Sequence, residues 1–409
     1  MRVVITGFGF ITPLGDTKEE IIDAMKNSKC SISKIKSYDI INREVQLASE
    51  IDDSFIENEF DKKDLRRLDR VNQLGLIAAK RAAKNAKLSA EEIKNCRSGV
   101  YVSSGIGGID TIEKEHNRGL NRGFDKISPY FIPKAIVNLT AANIAMELKA
   151  YGACLSPVTA CSSSTNAIGE AYRAIKHGYE DIIFAGGSEA SITELGVGGF
   201  TSMKALSTSK DSTRASIPFD KDRNGFVMGE GAGILVLESF EHATKRGANI
   251  LAEIVGYATN CDAFHITSPA PNGEFAALAM KNAIYDADIS PENIDYINAH
   301  GTSTELNDKF ETSAIKKVFK NRNVKVSSTK SQIGHLLGAS GAVETIFSIC
   351  AMNENFLPPL VNYKNKDEDC DLNFALEPED YNINYFIKNS LGFGGHNASI
   401  VIKRYSDDN

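Results

Sequence analysis

The chain has 409 residues, 42% of them hydrophobic and 24% charged, with a formal net charge of −7. This is the composition of an ordinary globular protein, long enough for two or three units of roughly 150 residues. The acidic balance offers no field for nucleic acid, and no apolar run approaches the roughly 20 residues of a membrane-crossing helix. Val3 to Thr6 reads as a first strand. Gly7-Phe8-Gly9-Phe10-Ile11-Thr12 is an incomplete Gly-x-Gly-x-x-Gly, with threonine in the third place, so the glycines are expected to serve a tight turn. The opening residues carry no signal-peptide pattern, and a cytoplasmic chain is expected.

Lys62 to Leu88 reads as one amphipathic helix, with Leu65, Leu68, Val71, Leu74 and Ile77 on its apolar face. Lys62, Lys63, Arg66, Arg67 and Arg70 cluster on the other face. Such runs are usually solvated surface. Here they form a basic patch on an acidic chain, suited to steering an acidic partner. Ser98 to Ser104 is a second strand, ending in Gly105-Ile106-Gly107.

Leu155 to Val158 is a short apolar lead into Thr159-Ala160-Cys161-Ser162-Ser163-Ser164-Thr165. Ala167, Ile168, Ala171, Tyr172, Ala174 and Ile175 then recur at helical spacing, and Gly178 is placed to end that helix. Strand, turn and helix put the Cys161 thiol at a helix N-terminus, where backbone N–H groups and the macrodipole favour a thiolate. A free cysteine is most often a small buried apolar residue; the other candidate residues decide between the two. Asp181 to Ala185 is a further strand, Gly196 to Phe200 a glycine-rich loop, and Ile234 to Glu238 a strand after a turn-rich stretch.

Near Ile250 the pattern starts again. A strand at Ile254 to Tyr257 and a helix from Phe275 to Ala287 lead to the strand Ile294–Ala299, which ends in His300-Gly301-Thr302-Ser303-Thr304. Val324 to Thr329 leads into Lys330-Ser331-Gln332-Ile333-Gly334-His335, and a helix follows through Ile346 and Cys350. Two halves with one layout imply an internal duplication, dividing at 1–250 and 251–409. Alternating strands and helices imply an α/β fold with mainly parallel sheets. The seven cysteines are odd in number and lack a Cys-x-x-Cys pair; the seven histidines lack a His-x-x-x-His pair. Neither a disulfide framework nor a metal site is expected.

Cys161, His300 and His335 each follow a strand, and such strand ends converge on the crevice of an α/β sheet. A thiolate takes an acyl group, and imidazole N–H groups donate to the oxygen of an enolising thioester. The ordered set Thr159-Ala160-Cys161-Ser162-Ser163, His300-Gly301-Thr302-Ser303-Thr304, Lys330-Ser331-x-x-Gly334-His335 and Gly392-Phe393-Gly394-Gly395-His396-Asn397 resembles the β-ketoacyl-acyl carrier protein synthases of the thiolase superfamily, synthase II above all. The resemblance spans essentially the whole chain. It implies a thiolase-like fold of two βαβαβ-type halves in five layers, α-β-α-β-α. It implies a decarboxylative condensation of malonyl-acyl carrier protein with an acyl chain held on Cys161, lengthening a fatty acid by two carbons.

By position, the resemblance makes Cys161 the nucleophile, His300 and His335 the decarboxylating pair, and Lys330 with Glu344 a charged pair behind them. The N–H groups of Cys161 and Phe393 become the oxyanion hole, with Phe393 also a gate. Ile106, Phe200, Thr267, Thr302 and Thr304 become substrate contacts, Ile106 at the bottom of the acyl pocket and the threonines along the phosphopantetheine arm. Lys63, Arg66, Arg67 and Lys204 fall where the family docks its acidic carrier protein. No cofactor beyond that carried phosphopantetheine, no metal and a homodimer are implied. Synthase I, polyketide-type ketosynthases and non-catalytic ketosynthase partners are the rival readings; the partners lack the cysteine.

Overall fold

In the computed structural model, residues 1–320 and 322–406 are described. The chain runs through one pattern twice. The first pass is β1 (Val3–Ile11), α1 (Lys62–Arg67), α2 (Arg70–Asn85), β2 (Ser98–Ser103), α3 (Leu139–Leu148), β3 (Cys154–Leu155), α4 (Ser163–Lys176), β4 (Ile182–Glu189), α5 (Glu194–Ser202) and β5 (Gly231–Ser239). The second is β6 (Ala252–Cys261), α6 (Glu274–Asp286), β7 (Tyr296–Asn298), α7 (Glu305–Phe319), β8 (Lys325–Ser327), α8 (Lys330–Ile333), α9 (Ser340–Asn353), β9 (Asn373–Phe374), β10 (Tyr385–Gly392) and β11 (His396–Lys403).

Strand order is β3-β2-β4-β5-β1 in the first pass and β8-β7-β10-β11-β6 in the second, with β9 outside β8. Matching strands also pair in matching senses. β2 is parallel to β3 and β4, as β7 is to β8 and β10. β5 is antiparallel to β4 and β1, as β11 is to β10 and β6. The two sheets meet edge to edge where Val3–Ile5 pairs with Ala252–Ile254. The sheets are therefore mixed, not mainly parallel. Only a crossover helix forces parallel neighbours, and β10 returns as β11 through a three-residue turn that yields an antiparallel pair.

Helices α4 and α9 touch strands of both sheets and form the central layer. The α9 helix is buried from Ser340 to Met352, as a helix with sheets on both sides must be. Outside, α2 and α3 pack on the first sheet and α6 and α7 on the second, completing five layers. A Cβ at Gly341 would collide with the Thr165 hydroxyl, so glycine there lets α9 cross α4 near both N-termini. That crossing brings the residues just before the two helices together.

Three local expectations give way to packing. Gly7 and Gly9 lie inside β1, not in a turn; a Cβ at Gly9 would strike the Ala78 carbonyl of α2. The expected Lys62–Leu88 helix is two helices, broken at Leu68 with extended backbone. Asp69 breaks it, capping α2 through the Val71 N–H while its other oxygen accepts from Thr111. Gly196 to Phe200 lies within α5, whose first turn Thr193 caps through the Gly196 N–H. Among the described residues no helix is long and apolar enough to cross a membrane.

Candidate active site

The apolar lead before Cys161 shortens to the two-residue β3, and the chain then turns sharply. Ala160 adopts φ 51°, a left-handed conformation unusual for alanine. The turn is tied down on every side. The Ser163 hydroxyl donates to the Ala160 carbonyl at 2.6 Å and accepts the Thr159 N–H at 2.9 Å. The Asn166 amide donates to Thr159 Oγ1 at 2.7 Å, and Ser162 Oγ donates to the His396 carbonyl at 2.9 Å. Cys161 thus sits in a 3-10 turn that runs directly into α4.

Cys161 packs against an apolar cluster that includes Phe226, Met228 and Leu337, as do Ile106 and Phe200. Burial pushes its thiol up to about 12, against the opposing pull of Lys330 and of the Phe393 and Cys161 N–H groups. The helix terminus tempers the penalty of burial without overturning it, so the resting group is a thiol and not the expected thiolate. Both N–H groups implied as the oxyanion hole act on the sulfur. Phe393 tops the β10–β11 hairpin, where Gly394 and Gly395 have φ of 88° and 76°.

His300 and His335 are each 2% exposed, with ring centroids 5.3 Å apart and planes at 83°. Glu311 of α7 accepts the His300 and Gly301 N–H groups at 2.7 and 2.8 Å, while Asp308 accepts those of Thr302 and Ser303. These carboxylates hold the loop after β7. The His335 N–H donates to the Val227 carbonyl at 2.7 Å. Its Nδ1 accepts the Leu337 N–H at 3.2 Å and lies 2.8 Å from Ser340 Oγ. An acceptor Nδ1 places the proton of the neutral ring on Nε2, a buried atom with no protein partner among the described residues. Burial first, then the Lys330 charge, holds both imidazoles well below the ordinary histidine range, so both are neutral near pH 7.

Behind them, Lys330 Nζ lies 2.6 Å from Glu344 Oε1, both side chains fully enclosed. The other carboxylate oxygen, Oε2, lies 2.6 Å from Lys388 Nζ. Lys388 had a sequence signal: a lysine inside the apolar run Phe386-Ile387-Lys388 must find a partner when the strand is central.

Ile106 and Phe200 join Cys161 in one apolar cluster. The Phe200 ring packs against Phe226 at 5.4 Å and Phe393 at 6.3 Å, and Phe226 meets His335 edge-on at 5.3 Å. Phe226 was not legible as a wall residue, because nothing in its turn-rich stretch marks a pocket. Thr302 and Thr304 come together, hydroxyl to hydroxyl, at 2.9 Å. Thr267 lies in the half-exposed loop whose Ile266 carbonyl accepts the Gly394 N–H at 2.7 Å, beside the Phe393 hairpin. Lys63, Arg66 and Arg67 are exposed on α1, and Lys204 is exposed just past α5. Arg70 leaves that patch, forking onto Glu230 at 2.7 and 2.8 Å.

A buried carboxylate, Glu189, stitches the pocket floor. It accepts N–H groups from Gly105 at 2.7 Å and Ile106 at 3.3 Å in the first half, and from Gly338 at 2.9 Å in the second. No motif pointed to it.

This duplicated frame, with a cysteine turn feeding the central layer, is the thiolase-like ketosynthase fold. The family described as β-ketoacyl synthase matches through its N-terminal domain over residues 1–243 and its C-terminal domain over residues 251–364. The chain belongs to the β-ketoacyl synthase family. It is 45% identical over 409 residues to the 3-oxoacyl-[acyl-carrier-protein] synthase 2 of Staphylococcus aureus strain MRSA252, covering 99% of each chain. It is 42% identical over 408 residues to the protein of the same name from Synechocystis, covering 99% of this chain and 98% of that one. A solved type II polyketide ketosynthase, bound to its acyl-carrier protein and a hexaketide, is 32% identical with a TM-score of 0.92 and 99% coverage of both chains.

Proposed function

We propose that the chain is a 3-oxoacyl-acyl carrier protein synthase of the synthase II kind. The observation that carries this reading is a thiol under two N–H donors on an apolar cluster whose Phe226 ring meets His335, one of a pair of buried, neutral imidazoles. In the first half-reaction Cys161 attacks an acyl thioester. The acyl group passes to its sulfur, the carrier's pantetheine sulfur leaves, and the proton lost by one thiol is regained by the other. The Cys161 and Phe393 N–H groups hold the tetrahedral oxyanion. Phe200, Phe226 and Ile106 give the acyl chain an apolar wall.

Malonyl thioester then loses CO2 by cleavage of its carboxylate carbon bond. The electron pair enters the enolate, whose oxygen accepts from His335 Nε2–H and from His300. Neutral rings suit this task, because an imidazolium would favour the bound carboxylate as much as the enolate. The enolate carbon attacks the Cys161 thioester, and the cysteine sulfur departs and takes a proton. The product is a 3-oxoacyl thioester two carbons longer. Thr302, Thr304 and Thr267 are the hydroxyls available to a phosphopantetheine arm. The exposed cations Lys63, Arg66, Arg67 and Lys204 suit an acidic carrier protein, as in the solved relative seated on its acyl-carrier protein. No cofactor besides the carried phosphopantetheine enters these steps, and a homodimer in the cytoplasm is part of the proposal.

The test is peptide mass spectrometry after incubation with long-chain acyl-carrier protein and then malonyl-carrier protein. The expected result is acyl mass on the Cys161 peptide that disappears with release of CO2. Absence of acylation from any carrier or coenzyme A thioester would overturn the reading in favour of a non-catalytic ketosynthase partner.

A further inference from the structure

Lys388 is 0% exposed in the middle of β10, between Ile387 and Asn389, and packs against no solvent. Its Nζ lies 2.6 Å from Glu344 Oε2, donates to the Asn389 carbonyl, and reaches the Ala299 carbonyl at 3.5 Å, next to His300. An apolar residue of like size would fill this space at no electrostatic cost, so packing alone does not call for an ammonium group. Lys330 already pairs with Glu344. The second ammonium therefore leaves Glu344 shared between two ammonium groups behind the two imidazoles. The charged or titratable groups that it acts on or that act on it are Glu344 on α9, Lys330 on α8, Glu311 on α7 and the two histidines.

We propose that Lys388 is a positioning residue of the reaction: a buried cation that shares Glu344 with Lys330, offsets that carboxylate's pull on the two imidazoles, and so helps keep His300 and His335 as neutral hydrogen-bond donors. The inference rests on the functional reading above. Its electrostatic basis is that the Lys388 charge opposes protonation of both rings, after burial and Lys330.

Histidine ring NMR on nitrogen-labelled protein reads this without any substrate. Lys388→Met should move the protonation midpoint of at least one buried imidazole up by about one pH unit, because a nearby positive charge is gone. Malonyl-carrier decarboxylation should slow by at least about tenfold. If Lys388 acts through Glu344, the double variant Lys388→Met/Glu344→Gln should decarboxylate at the rate of Glu344→Gln alone, within about threefold. The double variant removes opposite charges together, so it also serves where the single one does not fold. Unchanged imidazole midpoints, or a double variant slowed by the product of the two single losses, would overturn the proposal. A wild-type protein inert toward malonyl-carrier protein would instead overturn the functional reading, and the NMR midpoints would still decide the role of Lys388.

Discussion

The two halves place different chemistry at the same topological points. The connection from the third strand to the central helix carries Cys161 in the first half and Lys330 with His335 in the second. The connection after the second strand carries Ile106 in the first half and His300 in the second. The first half surrounds its thiol with apolar side chains, and burial dominates that thiol's acidity. The second surrounds its imidazoles with Lys330, Glu344, Lys388 and Glu311. One fold thus yields an apolar receptacle on one side and a charged frame on the other. An acyl chain needs the receptacle. A carboxylate that must leave as CO2, and an enolate that must be held, need fixed donors and fixed charge.

The sharpest break of that division is Cys161→Ala. It should abolish acyl acceptance and elongation, a loss on the order of a thousandfold or more. Malonyl decarboxylation should survive, since the second half is untouched. Measured CO2 release from malonyl-carrier protein decides: its disappearance would mean the two halves do not divide the work. His335→Ala is the converse. Elongation should fall on the order of 100- to 1000-fold, as when one preorganised donor is removed, while acyl mass still appears on Cys161. Retained elongation would take His335 out of the reaction.

Much of this site was legible because its motifs are short and local. Cys161, His300 and His335 each stand where an apolar run turns polar, and the fold brings the two imidazoles ring to ring. What was not legible depends on distant packing. Gly7 and Gly9 look like turn residues, but the approach of α2 to β1 is invisible in the sequence. Leu65, Leu68 and Val71 keep a helical period across a break that Asp69 makes by capping. The thiol's resting state inverts expectation because the helix-terminus effect reads locally, whereas burial is a property of the whole pocket. Glu189 lies in a strand buried on both faces, where no alternation singles out one residue.

That account of the thiol is itself testable. With a thiol at about 12, the rate of Cys161 alkylation by iodoacetamide should climb nearly tenfold per pH unit from pH 7 to 10, since only the thiolate reacts. A plateau near pH 7 would show that the N–H donors outweigh burial, and the two halves would then be less unlike than their surroundings suggest. Glu189→Leu probes the join between them. It strips a buried acceptor from the Gly105, Ile106 and Gly338 N–H groups, which should cost roughly 3 kcal/mol or more for three orphaned donors at about 1–3 kcal/mol each. Thermal unfolding should register this as a lower Tm. An unchanged Tm would mean the pocket floor does not depend on that carboxylate.

The smallest expected effect concerns how substrates reach the first half. Lys63, Arg66 and Arg67 lie on α1 and Lys204 follows α5, so every exposed cation assigned to docking comes from that half. Arg66→Glu with Arg67→Glu should raise KM for carrier-bound acyl chains by several-fold to about tenfold, because rim charges act on encounter and are screened by salt. The kcat should hold, since neither side chain reaches the pocket. Acyl-coenzyme A or acyl-pantetheine, which bring no acidic protein, should react as before, and the carrier's disadvantage should shrink as ionic strength rises. An equal loss with carrier-free thioesters would show that α1 shapes the pocket rather than receiving a partner. Loss confined to the carrier would assign reception, as well as acyl storage, to the half that holds Cys161.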